Sequence, residues 1–122
     1  MKQKFLTKEV ENRMTKYPLY SQDGKGDEAI ATAKFFMCMG SWTWYVLEYN
    51  TEDKDTCFGV VVNGYGECEY GYFSLKELQS VRNRWGLGVE RDMYFEPTPL
   101  KDINDEYLQE FLCDVNVSFE VL

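Results

Sequence analysis

The sequence predicts a single α+β domain: an antiparallel sheet of five or six strands with about three helices. Three observations lead there. Alternating apolar segments recur between Ile30 and Phe95, apolar residues repeat at helical spacing near Lys8 and Tyr107, and a glycine-marked hairpin runs into a helix start at Ser74. With 122 residues, 44% of them hydrophobic and 16% aromatic, the chain can close one core over residues 1–122 without a second domain.

Thr7 is placed to cap a first helix with Val10 and Met14 on one face, and Pro18 stops it by pushing Tyr17 out of helical geometry. Ser21 to Glu28 has the glycine and acid content of a mobile loop. Its Gly24-Lys25-Gly26 lacks the remaining residues of a phosphate-binding loop. From Ile30 the period becomes two: Ala31, Ala33, Phe35 and Met37 share one face of a strand, with Lys34 on the other. In the next strand Trp42, Trp44 and Val46 line one face, and Tyr45, Leu47 and Tyr49 the other. Apolar groups on both faces imply a central strand covered on both sides.

Cys57–Val62 and Gly66–Phe73 form a hairpin around Asn63 and Gly64. A two-residue turn would set Glu67 and Glu69 opposite Val60 and Phe58, burying carboxylates at high cost. A three-residue loop, Asn63–Tyr65, sets Tyr70 opposite Phe58 and Cys68 opposite Val60, and leaves Glu67 and Glu69 beside Val61 and Gly59, in reach of water. Ser74 with Glu77 is a capping box, flanked by Phe73 and Leu78 as a hydrophobic staple. The helix it opens turns Leu75, Leu78 and Val81 inward, carries Arg82 and Arg84 near its end, and stops at Gly86. Gly86 and Gly88 are too few glycines for a dinucleotide fingerprint. Val89–Phe95 reads as a strand closed by Pro97 and Pro99. Ile103, Tyr107, Leu108, Phe111 and Leu112 repeat at helical spacing, with Asp102, Glu106 and Glu110 opposite. The tail alternates Val115, Val117, Phe119 and Val121 with polar residues, as a half-buried edge strand would.

Net charge is −8 and unevenly placed. Through Lys16 there are five basic and two acidic residues; from Lys101 onward one basic residue faces Asp102, Asp105, Glu106, Glu110, Asp114 and Glu120. Such a surface repels phosphate backbones and anionic lipid, which excludes direct nucleic-acid and membrane binding by the bulk surface and leaves basic protein partners open. Lys2 and Lys4 are followed only by Phe5 and Leu6 before Thr7, so the apolar core of a signal peptide is missing, and no run reaches the roughly 20 apolar residues of a membrane span. A cytoplasmic location is expected. Cys38, Cys57, Cys68 and Cys113 are widely spaced and histidine is absent, which predicts reduced, packed thiols and neither metal nor cofactor.

Without histidine, catalysis would fall to carboxylate, lysine, tyrosine or thiolate groups. Glu67 with Glu69, and Glu90 with Asp92, are same-face pairs at strand spacing, about 7 Å between alpha carbons. The plainer readings are a solvated hairpin face for the first pair and, for Glu90, Arg91 and Asp92, an ion-pair network fixing the strand to the Ser74 helix. Asp53-Lys54-Asp55 begins like a calcium loop, but Phe58 stands where its turn glycine belongs.

In series, Lys34-Phe35-Phe36, Trp42–Tyr45, Cys57–Val60, Gly71–Leu75 and Glu90–Pro97 resemble the domain-of-unknown-function family 2958, over about Tyr17 to Ile103. The resemblance implies a setting of plasmids, integrative elements or phages, and brings no catalytic residues. Joined to the charge pattern, it leads to the expectation of a non-enzymatic acidic binding protein, a counter-defence factor imitating nucleic acid on a basic host surface such as a nuclease complex. The residues expected to meet the partner are Asp102, Asp105, Glu106, Glu110 and Asp114. The alternatives are a small-molecule or nucleotide binder with a pocket of Trp42, Trp44 and Tyr72, and a carboxylate-dependent hydrolase.

Overall fold

The fold is that of a computed structural model, which describes residues 4–37 and 39–121, with the side chains of 116–121 outside the description. Thr7 does cap the first helix, α1 (Lys8–Thr15): its Oγ1 accepts from Val10 N at 3.2 Å. Strands β1 (Ile30–Ala31), β2 (Ala33–Met37), β3 (Trp42–Tyr49), β4 (Thr56–Val62) and β5 (Cys68–Ser74) follow, then α2 (Leu75–Ser80), β6 (Glu90–Arg91), β7 (Thr98–Pro99) and α3 (Glu106–Val121). Five strands form an antiparallel sheet in the order β5-β4-β3-β2-β6, and β1 pairs with β7 in a separate two-stranded sheet. The α+β class is therefore as expected.

The central strand is covered on both faces. On one, Val10 and Met14 of α1 and Leu75 and Leu78 of α2 pack on Phe35, Trp44, Val46, Tyr49 and Cys57. On the other, Leu108 and Leu112 of α3 join Leu100 and Ile103 over Tyr45, Leu47, Val60 and Val62. Each large side chain buried completely, Phe35, Met14, Leu100 and Leu108 among them, contributes about 1.5–3 kcal/mol by leaving water.

Several local expectations are corrected. Ala31 does not share a face with Ala33 and Phe35; it belongs to the core around Tyr45. The chain changes sheets at Thr32, whose N–H and hydroxyl both donate to Val46 O, and the alternation loses phase there. Tyr49 likewise lies with Trp44 and Val46 rather than with Tyr45, because a bulge between Val46 and Glu48 inserts one residue. The hairpin loop has the expected odd length but lies one residue later, closed by Asn63 N to Glu67 O, so that Val60 faces Tyr70 and Phe58 faces Tyr72. Gly66, at φ 80°, supplies the left-handed residue that moves the turn. The shift is two in register, so every side chain keeps its predicted face.

The α2 start is capped as expected, Ser74 Oγ accepting from Glu77 N at 3.2 Å, but the second acceptor is Asp55 rather than Glu77. Asp55 takes the Lys76 N–H at 2.8 Å and the Ser74 hydroxyl at 2.7 Å. Ser74→Ala removes both of its own bonds and is expected to cost about 1 kcal/mol, read as a lower denaturation midpoint; an unchanged midpoint would refute the cap. The helix ends at Ser80, not Gly86, and Val81 is exposed. Asn83 Oδ1 accepts from the N–H groups of Trp85 and Leu87, an arrangement that competes with helix continuation. The expected strand Val89–Phe95 shrinks to Glu90–Arg91, since Asp92 Oδ1 turns the chain by accepting from Tyr94 N. The tail is helical through Val121 rather than an edge strand; the side chains of its alternating residues beyond Val115 lie outside the described residues.

Cys57 is a buried free thiol, Cys68 half-buried and Cys113 exposed, so packing holds for the first two only; Cys38 lies outside the described residues. Among the described residues no helix is long and apolar enough to cross a membrane.

Candidate functional site

Glu48 stands in a strand otherwise filled with apolar and aromatic residues, where an unpaired carboxylate would be costly. The β3 bulge resolves this by keeping Glu48 on the side of Leu47 and Phe58, away from the Trp44 core. Only 3% exposed, it accepts from Tyr20 N at 2.8 Å and from Gln22 N at 2.9 Å. Gln22 is buried as well: its amide nitrogen donates to Ile30 O at 2.8 Å and Leu47 O at 2.7 Å, and its oxygen accepts from Ile30 N at 2.7 Å. This pair pins both ends of the 22–30 segment, which arches over the sheet using Gly24 at φ 78° and Gly26 at φ 57°. Part of the expected mobile loop is a 3-10 turn, Gly26–Glu28.

Beneath the arch is a groove of about 470 Å³, floored by Leu47, Phe58 and Tyr70, walled by Leu112 of α3 and rimmed by Asp23 and Asp27. Its aromatic floor continues along β5. The Phe58 ring lies 6.0 Å from Tyr70 and 5.0 Å from Tyr72, and Tyr70 lies 5.3 Å from Phe111. Burial, then the charge of Asp27, raises the Tyr70 hydroxyl above its usual range. Burial, then Asp105 and Glu110, pushes the Cys68 thiol up to about 11. The fields mark carboxylates on both flanks of this strip.

The pocket expected from Trp42, Trp44 and Tyr72 is not formed. Trp42 and Trp44 stack at 5.8 Å on the α1 and α2 side of the sheet, whereas Tyr72 meets Phe58 on the α3 side. Pairing places Trp44 beside Val61 and Tyr72 beside Phe58, residues of opposite parity in β4.

The C-terminal acids divide by role. Asp102, Glu106, Glu110 and Asp114 are exposed, whereas Asp105 is half-buried. Asp105 accepts from the Tyr45 hydroxyl at 2.6 Å and from Leu108 N at 3.2 Å, so it caps α3 and ties it to the sheet. Burial, then this bond, holds the Tyr45 hydroxyl well above its ordinary range. Of the proposed carboxylate pairs, Glu69 borders a small recess of about 110 Å³ with Glu67 and Trp42, and Glu90 is exposed. Asp92 is paired with Lys34 at 3.9 Å. Arg91 joins neither acid to α2; it donates to Phe5 O at 3.2 Å and Lys4 O at 3.3 Å, fastening the N-terminal segment. Among the described residues no group of three acids or thiols is arranged to hold a metal ion. Glu48 and Gln22 were missed as site-forming residues, although a lone carboxylate between Leu47 and Tyr49 is a signal that a buried partner must exist.

Residues 5–107 match the family described as a protein of unknown function, DUF2958. The chain belongs to DUF2958. The match takes in α1, which the motif resemblance from Tyr17 had left out, and ends at Tyr107, the second residue of α3, so Glu110 and Asp114 lie beyond it. No curated protein and no solved structure matches the chain.

Proposed function

We propose that this protein is a non-enzymatic binding protein whose acidic surface occupies a basic site on a partner protein, and that the class of site it fits is a channel built for nucleic acid, as in a nuclease complex. The observation that carries the reading is the exposure of Asp102, Glu106, Glu110 and Asp114 in a segment where no basic residue follows Lys101. Lys101 is itself paired with Glu28 at 3.4 Å. Three of these acids recur every fourth residue, so α3 presents a rigid row of carboxylates about 6 Å apart. Such a row steers a basic surface into encounter and repels nucleic acid.

Reversal of Glu106, Glu110 and Asp114 to lysine tests it, with Asp105 left in place because it caps the helix. A partner captured by the wild-type chain should associate at least about tenfold more slowly with the triple variant, and high salt should slow the wild type in the same way. Association that responds to neither change would reject the acidic surface. A second reading, a small-molecule site, is supported by the aromatic groove under the 22–30 arch, whose lining sets Asp23, Asp27 and Glu48 against the single base Lys25 and so suits a neutral or cationic ligand better than a nucleotide phosphate.

A further inference from the structure

The five-stranded sheet has two dissimilar edges. At one, β6 is two residues long and Arg91 is tied to the N-terminal segment, so the edge is blunted. At the other, β5 runs for seven residues, paired with β4 without a bulge and containing neither proline nor lysine. Two bonds fix which backbone groups of β5 point away from β4. Asn63 N donates to Glu67 O at one end of the hairpin, and Leu75 N donates to Asp55 O at the other. Both belong to the same register, so odd-numbered residues of β5 bond inward to β4 and the N–H and C=O groups of Cys68, Tyr70 and Tyr72 point outward. Among the described residues no group bonds to them.

Gly71 is a second, independent observation. A Cβ there would meet nothing within 4 Å, and its φ is not in the left-handed region, so the fold itself does not require glycine. Glycine within a strand often marks a bulge, a bend or a site where another backbone approaches closely, and β5 has no bulge at Gly71. The flanks of the edge differ by face. Glu67 and Glu69 project on one face, and on the other the aromatic strip of Phe58, Tyr70 and Tyr72 is bordered by Glu110 and Asp27. The field of Glu110 at Cys68 and that of Asp27 at Tyr70 place those acids beside the strand.

We propose that the β5 edge is a docking site for an extended segment of a partner protein, added to the sheet as a sixth strand, with basic and apolar residues in alternation. Backbone groups of Cys68, Tyr70 and Tyr72 supply the ladder; basic side chains meet Glu67 and Glu69, and apolar ones cover Tyr70 and Tyr72. A second copy of this chain would bring its own carboxylates and a net charge of −8 to the same edge, which disfavours it as the occupant. The inference rests on the basic-partner reading above and specifies where such a partner pairs.

The test is amide hydrogen exchange of the whole chain, with and without a peptide of about ten residues alternating lysine and valine, and with a glutamate and valine counterpart. The expected result is at least about tenfold slower exchange at Cys68, Tyr70 and Tyr72 with the basic peptide alone, while the inward amides of Glu69 and Gly71 are slow throughout. Tyr72→Pro, which removes an N–H the fold leaves unbonded, should abolish this protection, and Tyr72→Val should retain it. No slowing with the basic peptide, or equal slowing with both peptides, overturns the proposal. So does protection in the free chain that rises with its concentration, which would make a second copy the occupant. If the basic peptide binds in a salt-dependent manner but leaves these amides unprotected, the edge is rejected and the acidic surface stands; if the edge is protected equally at high salt, the acidic surface fails instead.

Discussion

Gly59→Ala is expected to destabilise the protein by about 3 kcal/mol or more, or to prevent folding, whereas Gly71→Ala, directly across the β4–β5 ladder, should stay within about 0.5 kcal/mol of wild type. The two glycines are cross-strand partners with opposite surroundings. A Cβ at Gly59 would overlap the carbonyl oxygen of Tyr45 and lie 2.9 Å from its carbonyl carbon and 3.2 Å from Leu47 N, all backbone atoms beside the β3 bulge. Backbone in the middle of a sheet packed on both faces cannot yield as a side-chain tip would. At Gly71 a Cβ enters open space, and alanine reduces the freedom of the unfolded chain. Urea midpoints measured for both variants check the contrast; equal midpoints would mean that the β3 bulge does not approach β4 as closely as this packing requires.

Elements whose signals are local were legible in the sequence. Thr7 before α1, Ser74 before α2 and the two-faced apolar pattern of β3 each depend on neighbours within a few residues, and each has the expected consequence. The errors share a different cause. The switch of sheets at Thr32 and the bulge at Leu47 are set by pairing with distant strands, so period-two reading carried Ala31 and Tyr49 to the wrong faces. The helix stops at Ser80, ahead of a turn built on the Asn83 side-chain amide, although the spacing of Leu75, Leu78 and Val81 continues the helical period. The tail shows the limit of periodicity itself: alternating valines fit a strand, yet α3 carries helical backbone through them. For the candidate site, exposure of Glu106 and Glu110 was readable from helical spacing, Asp102 is exposed in a 3-10 turn ahead of the helix, and Asp105 was not separable from them because its partner Tyr45 is sixty positions away. The association of Trp42 and Trp44 with Tyr72 failed for the same reason, since which face a residue occupies follows from register that composition does not encode.

Glu48→Ala is expected to cost about 2–5 kcal/mol and to loosen the arch over the groove more than it loosens the sheet. The carboxylate is the acceptor for two backbone donors, Tyr20 N and Gln22 N, which no substituted methyl group can satisfy. Tyr20 stands at φ 73°, a left-handed conformation that is costly for a residue with a Cβ, and its N–H in that conformation is taken up by Glu48. Without it the residue can relax toward right-handed geometry, drawing Gln22 from its bonds to Ile30 and Leu47 and releasing the rim formed by Asp23 and Asp27. Glu48→Gln should fall between, because an amide offers one oxygen to the two donors and turns its NH₂ toward the other. Amide exchange separates this from general destabilisation. The N–H groups of Tyr20, Gln22 and Ile30 should exchange faster in both variants by a larger factor than those of Tyr45 and Val60 in the central strands. Uniform acceleration across arch and sheet would show that Glu48 supports the core as a whole rather than the arch.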